Sequence, residues 1–190
     1  MRRRRSAIVA ALVVLVASCS HGSSNTTPPP VNAPTEQLVV LGGDSAFGAD
    51  LPRDVRLRES WPQLLLADLP PGSAMIDLAA RGATTADLAD RQVTLAADLH
   101  PTIAVVSLEG NGAGAGSSSN DVARIIDGLR AVGASKVLVV DPAPASTGSV
   151  VHATVSNHDA VVVDTSAITA TGAAGNQQIA SAIKVAGGLA

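Results

Sequence analysis

Five short runs of aliphatic and β-branched residues punctuate the chain: Leu38–Leu41, Ala74–Leu78, Ile103–Ser107, Lys136–Val140 and Ala160–Val163. Each is hydrophobic almost throughout instead of alternating, the pattern of strands covered on both faces, as parallel sheets require. Between them lie longer stretches with helical spacing, near Trp61–Leu69, Thr84–Leu99, Asp121–Val132, His152–His158 and Ala173–Val185. Strand and helix in alternation predict βαβ units. The expected fold is therefore α/β: a three-layer α/β/α sandwich on a five-stranded parallel sheet in the flavodoxin-like order 2-1-3-4-5. Aromatics are 1% of residues, with Trp61, Phe47 and no tyrosine, so Ala, Val, Leu and Ile must fill the core.

The amino end follows a different pattern. Arg2–Arg5 form a positive stretch, Ala7–Val16 an apolar one, and small residues lead to a cysteine in Val16-Ala17-Ser18-Cys19. This is the layout of a secretory signal. The apolar run falls short of the roughly 20 residues that span a bilayer. Its last four residues resemble the bacterial lipobox, which implies cleavage after Ser18 and a diacylglyceryl group, with further acylation such as palmitate, on Cys19. Cys19 is the only cysteine, so no internal disulfide exists to claim it. Two or more acyl chains make such an anchor stable. The adjacent arginines leave the export route open between the general secretory and twin-arginine pathways. Residues 19–36 read as a tether, since Ser20–Pro30 is polar and Pro-rich without an apolar period. The divisions expected are a signal over 1–18, the lipidated tether over 19–36 and one domain over 37–190, long enough for a core of its own. The location expected is the outer face of the cell membrane.

Charge narrows the partners. Losing residues 1–18 removes four of 13 basic residues and none of 16 acidic ones, so the formal charge moves from -3 to -7. A chain this acidic, with no basic patch, does not suit nucleic acid. No His/Cys/Asp cluster stands at metal-ligand spacing. The glycine run Gly110–Gly116 lacks the Lys and Ser/Thr that end a P-loop. Neither a metal nor a cofactor is expected.

Ligands of such sheets bind beyond the carboxyl ends of the strands, where strand order reverses. The first strand runs into Gly42-Gly43-Asp44-Ser45, the second into Ala80-Arg81-Gly82-Ala83-Thr84, the third into Glu109-Gly110-Asn111-Gly112. A serine on a glycine-flanked turn can present its oxygen as a nucleophile. The N–H groups of Gly82 and Ser45 and the side-chain amide of Asn111 can donate to a developing oxyanion. Glu109 is close enough in sequence to Asn111 to reach the same cleft, and Asp44 also reads as a turn former bonding its own backbone.

Taken together and in order, these pieces resemble the SGNH (GDSL-type) hydrolases. Gly43-Asp44-Ser45 matches the first block of the family, the run from Ser60-Trp61-Pro62-Gln63 to Gly82-Ala83-Thr84 its second, and Gly110-Asn111 its third. The resemblance covers residues 38 to about 185. It implies Ser45 as nucleophile, Gly82 and Asn111 as oxyanion donors, and an ester-bearing lipid or acylated glycan as substrate. Two departures stand against it. Gly112 follows Asn111 where the family has aspartate. The fourth block should bring an Asp-x-x-His pair, and alignment on Ala173-Ala174-Gly175 puts Ala167 and Ala170 at those places.

Losing the histidine of a serine triad costs on the order of a million-fold in turnover. His21 lies in the tether, while His100 and His158 precede strands and so face the opposite edge. That leaves His152, beyond the loop that follows the fourth strand, as the substitute base, with Asp141 or Asp164 as helper. It reads more readily as a solvated histidine on the first turn of a short helix, because the fourth strand stands further from Ser45 in this topology. Two functions stay open: a weak serine esterase, and a non-catalytic member of the fold that holds an acyl ligand or an envelope partner.

Overall fold

The computed structural model describes residues 34–108, 119–141 and 150–189. Strands β1 (Gln37–Gly42), β2 (Ala74–Asp77), β3 (Ile103–Ser107), β4 (Lys136–Asp141) and β5 (Val161–Asp164) form one sheet. Its order is β2-β1-β3-β4-β5 and every pairing is parallel, as the hydrophobic pattern requires.

Alternation along each strand assigns the two helical layers. Leu38, Val40, Ile103, Val105, Leu138 and Val140 point to one face and bury Trp61, Leu65, Ala180 and Ile183. These belong to α3 (Trp61–Asp68) and α8 (Gly172–Gly187). Val39, Leu41, Ala104, Val106, Val137 and Val139 point the other way, onto Leu88, Ile125, Ile126, Leu129 and Val155. Those come from the helical run after β2, from α6 (Ser119–Ala131) and from α7 (Val150–Asn157). Both faces are thus dry, and the core is aliphatic apart from Trp61, which is fully buried.

Two elements escape the sequence pattern because they are single turns: α1 (Asp44–Phe47) and α2 (Arg56–Glu59). The run expected over Thr84–Leu99 is three pieces, α4 (Thr85–Asp87), a π-helical turn (Leu88–Gln92) and α5 (Val93–Ala97). Thr84 starts it with a capping box: its hydroxyl accepts from Asp87 N–H, and Asp87 accepts from Thr84 N–H. At the front of the domain, Thr35 N–H donates to Gly72 O and the Thr102 hydroxyl to Glu36, so the last residues before β1 are tied to the sheet.

Gly42, the last residue of β1, permits the closest approach in this layer. A Cβ there would stand 2.7 Å from Ala46 Cβ and 3.1 Å from Ser107 Cβ. Since Ala46 belongs to α1, any side chain at 42 must push that turn away from the sheet. Gly42→Ala is expected to lower the unfolding free energy by about 1–3 kcal/mol, the range of an overpacked core. A urea midpoint unchanged from the wild type would refute that close contact.

Candidate active site

β1 ends in Gly42-Gly43, and the chain turns at once into α1, which carries Asp44 and Ser45 in its first turn. The expected tight turn is a helical one: Phe47 N–H bonds Gly43 O, Gly48 N–H bonds Ser45 O and Ala49 N–H bonds Asp44 O, each at 2.9 Å. Gly48, at φ 69°, ends the turn in the left-handed region. Arg56 fastens the exit, with Nε on Gly48 O at 3.0 Å, a second nitrogen on Leu51 O at 3.3 Å, and its guanidinium 4.6 Å above the Phe47 ring.

The strand end beneath this turn is clamped by one side chain. Gln92 Oε1 accepts from Gly42 N–H at 2.8 Å, and Gln92 Nε2 donates to Gly42 O at 3.0 Å. Gln92 is buried at the end of the π-helical turn, so both bonds are shielded from water.

Gly82 also lies beside this turn, at φ 69°. Its N–H is donated to Asp44 Oδ1 at 3.0 Å. The group expected to face an oxyanion therefore already meets a carboxylate, and serving an oxyanion would require sharing or surrendering that bond.

On the α8 side of Ser45 opens a cleft of about 350 Å³, walled by Asp44, Asp50, Ile168, Ala170, Asn176 and Ile179 among others. Ala170 thus lines the Ser45 cleft. The loop carrying it is seated tightly, for a Cβ on Gly175 would stand 2.3 Å from Ala170 O. Asp50 ties the loop down: Oδ2 accepts from Gly172 N–H at 2.9 Å and from Asn176 Nδ2 at 3.2 Å. Asn176, buried in α8, in turn accepts from Trp61 N–H at 2.9 Å and donates to Gly172 O at 2.9 Å. A carboxylate and an amide hold the last loop in place, and both of the cleft's charged residues, Asp44 and Asp50, are acidic.

The histidines lie elsewhere. His152 Nε2 is 3.4 Å from Asp141 Oδ2, close enough for attraction between charges but outside hydrogen-bond geometry. Asp141 follows Val137 and Val139 in alternation, so this pair sits on the α7 face while the Ser45 cleft is walled by α8. His158 Nδ1 bonds Asp127 on α6 at 2.7 Å, and His100 lies just ahead of β3, at the sheet's opposite edge. Among the described residues, no histidine lines the cleft. Asn111 and Glu109 lie outside the described residues, as does most of the loop between β4 and α7. No group of three or more His, Cys, Asp or Glu among the described residues is placed to hold a metal ion.

Gln92, Asp50 and Asn176 were not singled out by sequence reasoning. Two of them left a signal. Gln92 follows Leu88 by four residues, and Asn176 precedes Ala180 and Ile183 by four and seven, so each is a polar residue on an apolar helical stripe. A buried amide on such a stripe needs partners.

Solved structures share this fold. The crystal structure of TesA superposes with a TM-score of 0.66 at 20% identity, over 80% of this chain and 97% of that one. A catalytic mutant of Axe2, an acetylxylan esterase from Geobacillus stearothermophilus, gives 0.67 at 13%, over 84% and 97%. The psychrotrophic esterase EstA from Pseudoalteromonas sp., inhibited by monoethylphosphonate, gives 0.61 at 14%, over 80% and 96%. The chain shares the α/β fold of these structures. No protein-family profile and no curated protein matches the chain.

The clamp gives a direct expectation. Gln92→Ala leaves the N–H of Gly42 buried without its partner, at a cost of about 1–3 kcal/mol, while the C=O keeps its bond from Ala80 N–H. Chemical denaturation should show a loss of about 1–3 kcal/mol, and a loss below about 0.5 kcal/mol would mean the clamp does not hold the strand end.

Proposed function

We propose that this protein is an exported, lipid-anchored protein of the SGNH fold whose Ser45 cleft binds an acyl ester and hydrolyses it at no more than a residual rate. The observation that carries this reading is Ala170 lining the Ser45 cleft, with no histidine beside it among the described residues.

The chemistry follows from that side chain. A serine hydroxyl attacks an ester only when a base removes its proton. His152 is on the other face of the sheet, paired with Asp141. The N–H of Gly82 is engaged by Asp44, which weakens the oxyanion hole as well. An oxyanion hole without the triad leaves roughly a thousand-fold over water. Binding asks less of the site. Ile168, Ala170 and Ile179 give the cleft apolar walls for an acyl group, while Asp44 and Asp50 disfavour a carboxylate. A neutral ester or an acylated glycan suits those walls better than a free acid does. Lipidation at Cys19 would hold the cleft near the membrane, where such esters are found.

Hydrolysis of short-chain aryl esters by the purified protein tests the reading. Wild type, Ser45→Ala and His152→Ala are expected to share one background rate. Installing Ala167→Asp with Ala170→His should raise Ser45-dependent turnover at least about tenfold, since the missing base is worth far more than that in an intact triad. Wild-type turnover abolished by Ser45→Ala would contradict the binding reading and establish a weak esterase. Anchoring is tested separately by metabolic labelling with palmitate, which should mark the protein and be lost in Cys19→Ser; equal labelling of both would refute Cys19 as the anchor.

A further inference from the structure

A second cavity, of about 240 Å³, lies on the far side of the Asp44–Gly82 bond, beneath the loop after β2 and against the π-helical turn and α5. Its lining differs in kind from the first. Leu78, Ala83 and Leu95 supply apolar wall, and Arg81 and Arg91, both exposed to solvent, also line it. Leu95 is 58% exposed, a large apolar side chain left in water where the cavity opens.

The arginines are the informative part. Elsewhere in the domain Arg56, Arg124 and Arg130 are committed to backbone carbonyls or carboxylates. Arg81 and Arg91, like Arg53 and Arg58, make no salt bridge among the described residues, and Arg91 attracts Asp87 only through space. The one acid in the lining, Asp87, is turned to Thr84, whose N–H it accepts at 2.9 Å and whose hydroxyl at 2.7 Å. Those bonds, and to a lesser extent the charge of Arg91, hold its carboxyl below the usual range. Two cations and one occupied acid leave the cavity net positive in a protein of net negative charge.

We propose that this cavity binds a small amphiphilic carboxylate, a fatty acid, with its head group on Arg81 and Arg91 and its chain along Leu78, Ala83 and Leu95. A guanidinium presents a planar fork that matches a carboxylate in two parallel hydrogen bonds and keeps its charge at any physiological pH. Apolar wall beside it removes chain from water, which contributes about 0.8 kcal/mol for each methylene buried. The opposite charge of the Ser45 cleft makes the two sites selective between ester and acid. The inference holds whether or not Ser45 is catalytic.

The test is calorimetric titration of the purified protein with sodium laurate below its micelle concentration, with dodecanol as the uncharged control. One laurate should bind per protein, dodecanol at least tenfold more weakly, and Arg81→Ala with Arg91→Ala should weaken laurate at least tenfold. Ala170→Phe, which fills the Ser45 cleft, should leave laurate affinity within twofold. Laurate binding lost in Ala170→Phe would overturn the proposal by placing the ligand in the first cleft, in support of the acyl-binding reading there. Equal affinity without the two arginines, dodecanol binding as tight as laurate, or no laurate binding would each overturn it as well.

Discussion

The two hydrogen bonds from Gln92 to Gly42 fix where the first strand stops, and the position of α1 depends on where it stops. A residue without a Cβ lies between Ala46 above and Ser107 beside it, and a buried amide bonds both its N–H and its C=O, the C=O also accepting from Ala80 N–H. Neither feature works alone. The close approach leaves Gly42 no water to bond, and the amide is affordable in the core only because both of its ends are matched. From this point the chain must turn into α1, which brings Asp44 toward Gly82 and Ser45 toward α8.

From that anchor two clefts diverge, with the Asp44–Gly82 bond between them. Asp44 and Asp50 make the one beside Ser45 acidic, and Arg81 and Arg91 make the other basic. Asp50 also has a mechanical part. Through Gly172 N–H and Asn176 it joins the segment after α1 to the start of α8, across the loop where a triad would have its acid and base. The loop therefore keeps its place although Ala167 and Ala170 carry no polar group. The side chains that hold the shape of this edge are therefore not those that would do chemistry there.

The layers and strand order were readable from the sequence because they depend on repetition. Five apolar runs separated by helical patterns leave few parallel arrangements, and alternation such as Val39/Leu41 against Leu38/Val40 sorts the helices to their faces. The place of Ser45 was readable for a similar reason, since it follows directly from the end of β1. What stayed hidden rests on single contacts between distant residues. Nothing local to Gln92 names Gly42, 50 positions earlier, as its partner, and nothing near Asp50 points to Asn176, 126 positions on. The donation of Gly82 N–H to Asp44 was equally invisible, because its direction depends on how one turn of helix leans. His152 shows the limit in another form: it was legible as a histidine near the carboxyl edge, while the face it occupies was decided by the parity of β4.

We propose that Ser45 has no base. Organofluorophosphonates form a covalent bond with serines whose hydroxyl is activated and leave ordinary serines untouched. Intact-mass analysis after incubating the protein with such a reagent should show unmodified chain. A single stoichiometric adduct, mapped to Ser45 and absent from Ser45→Ala, would contradict the account.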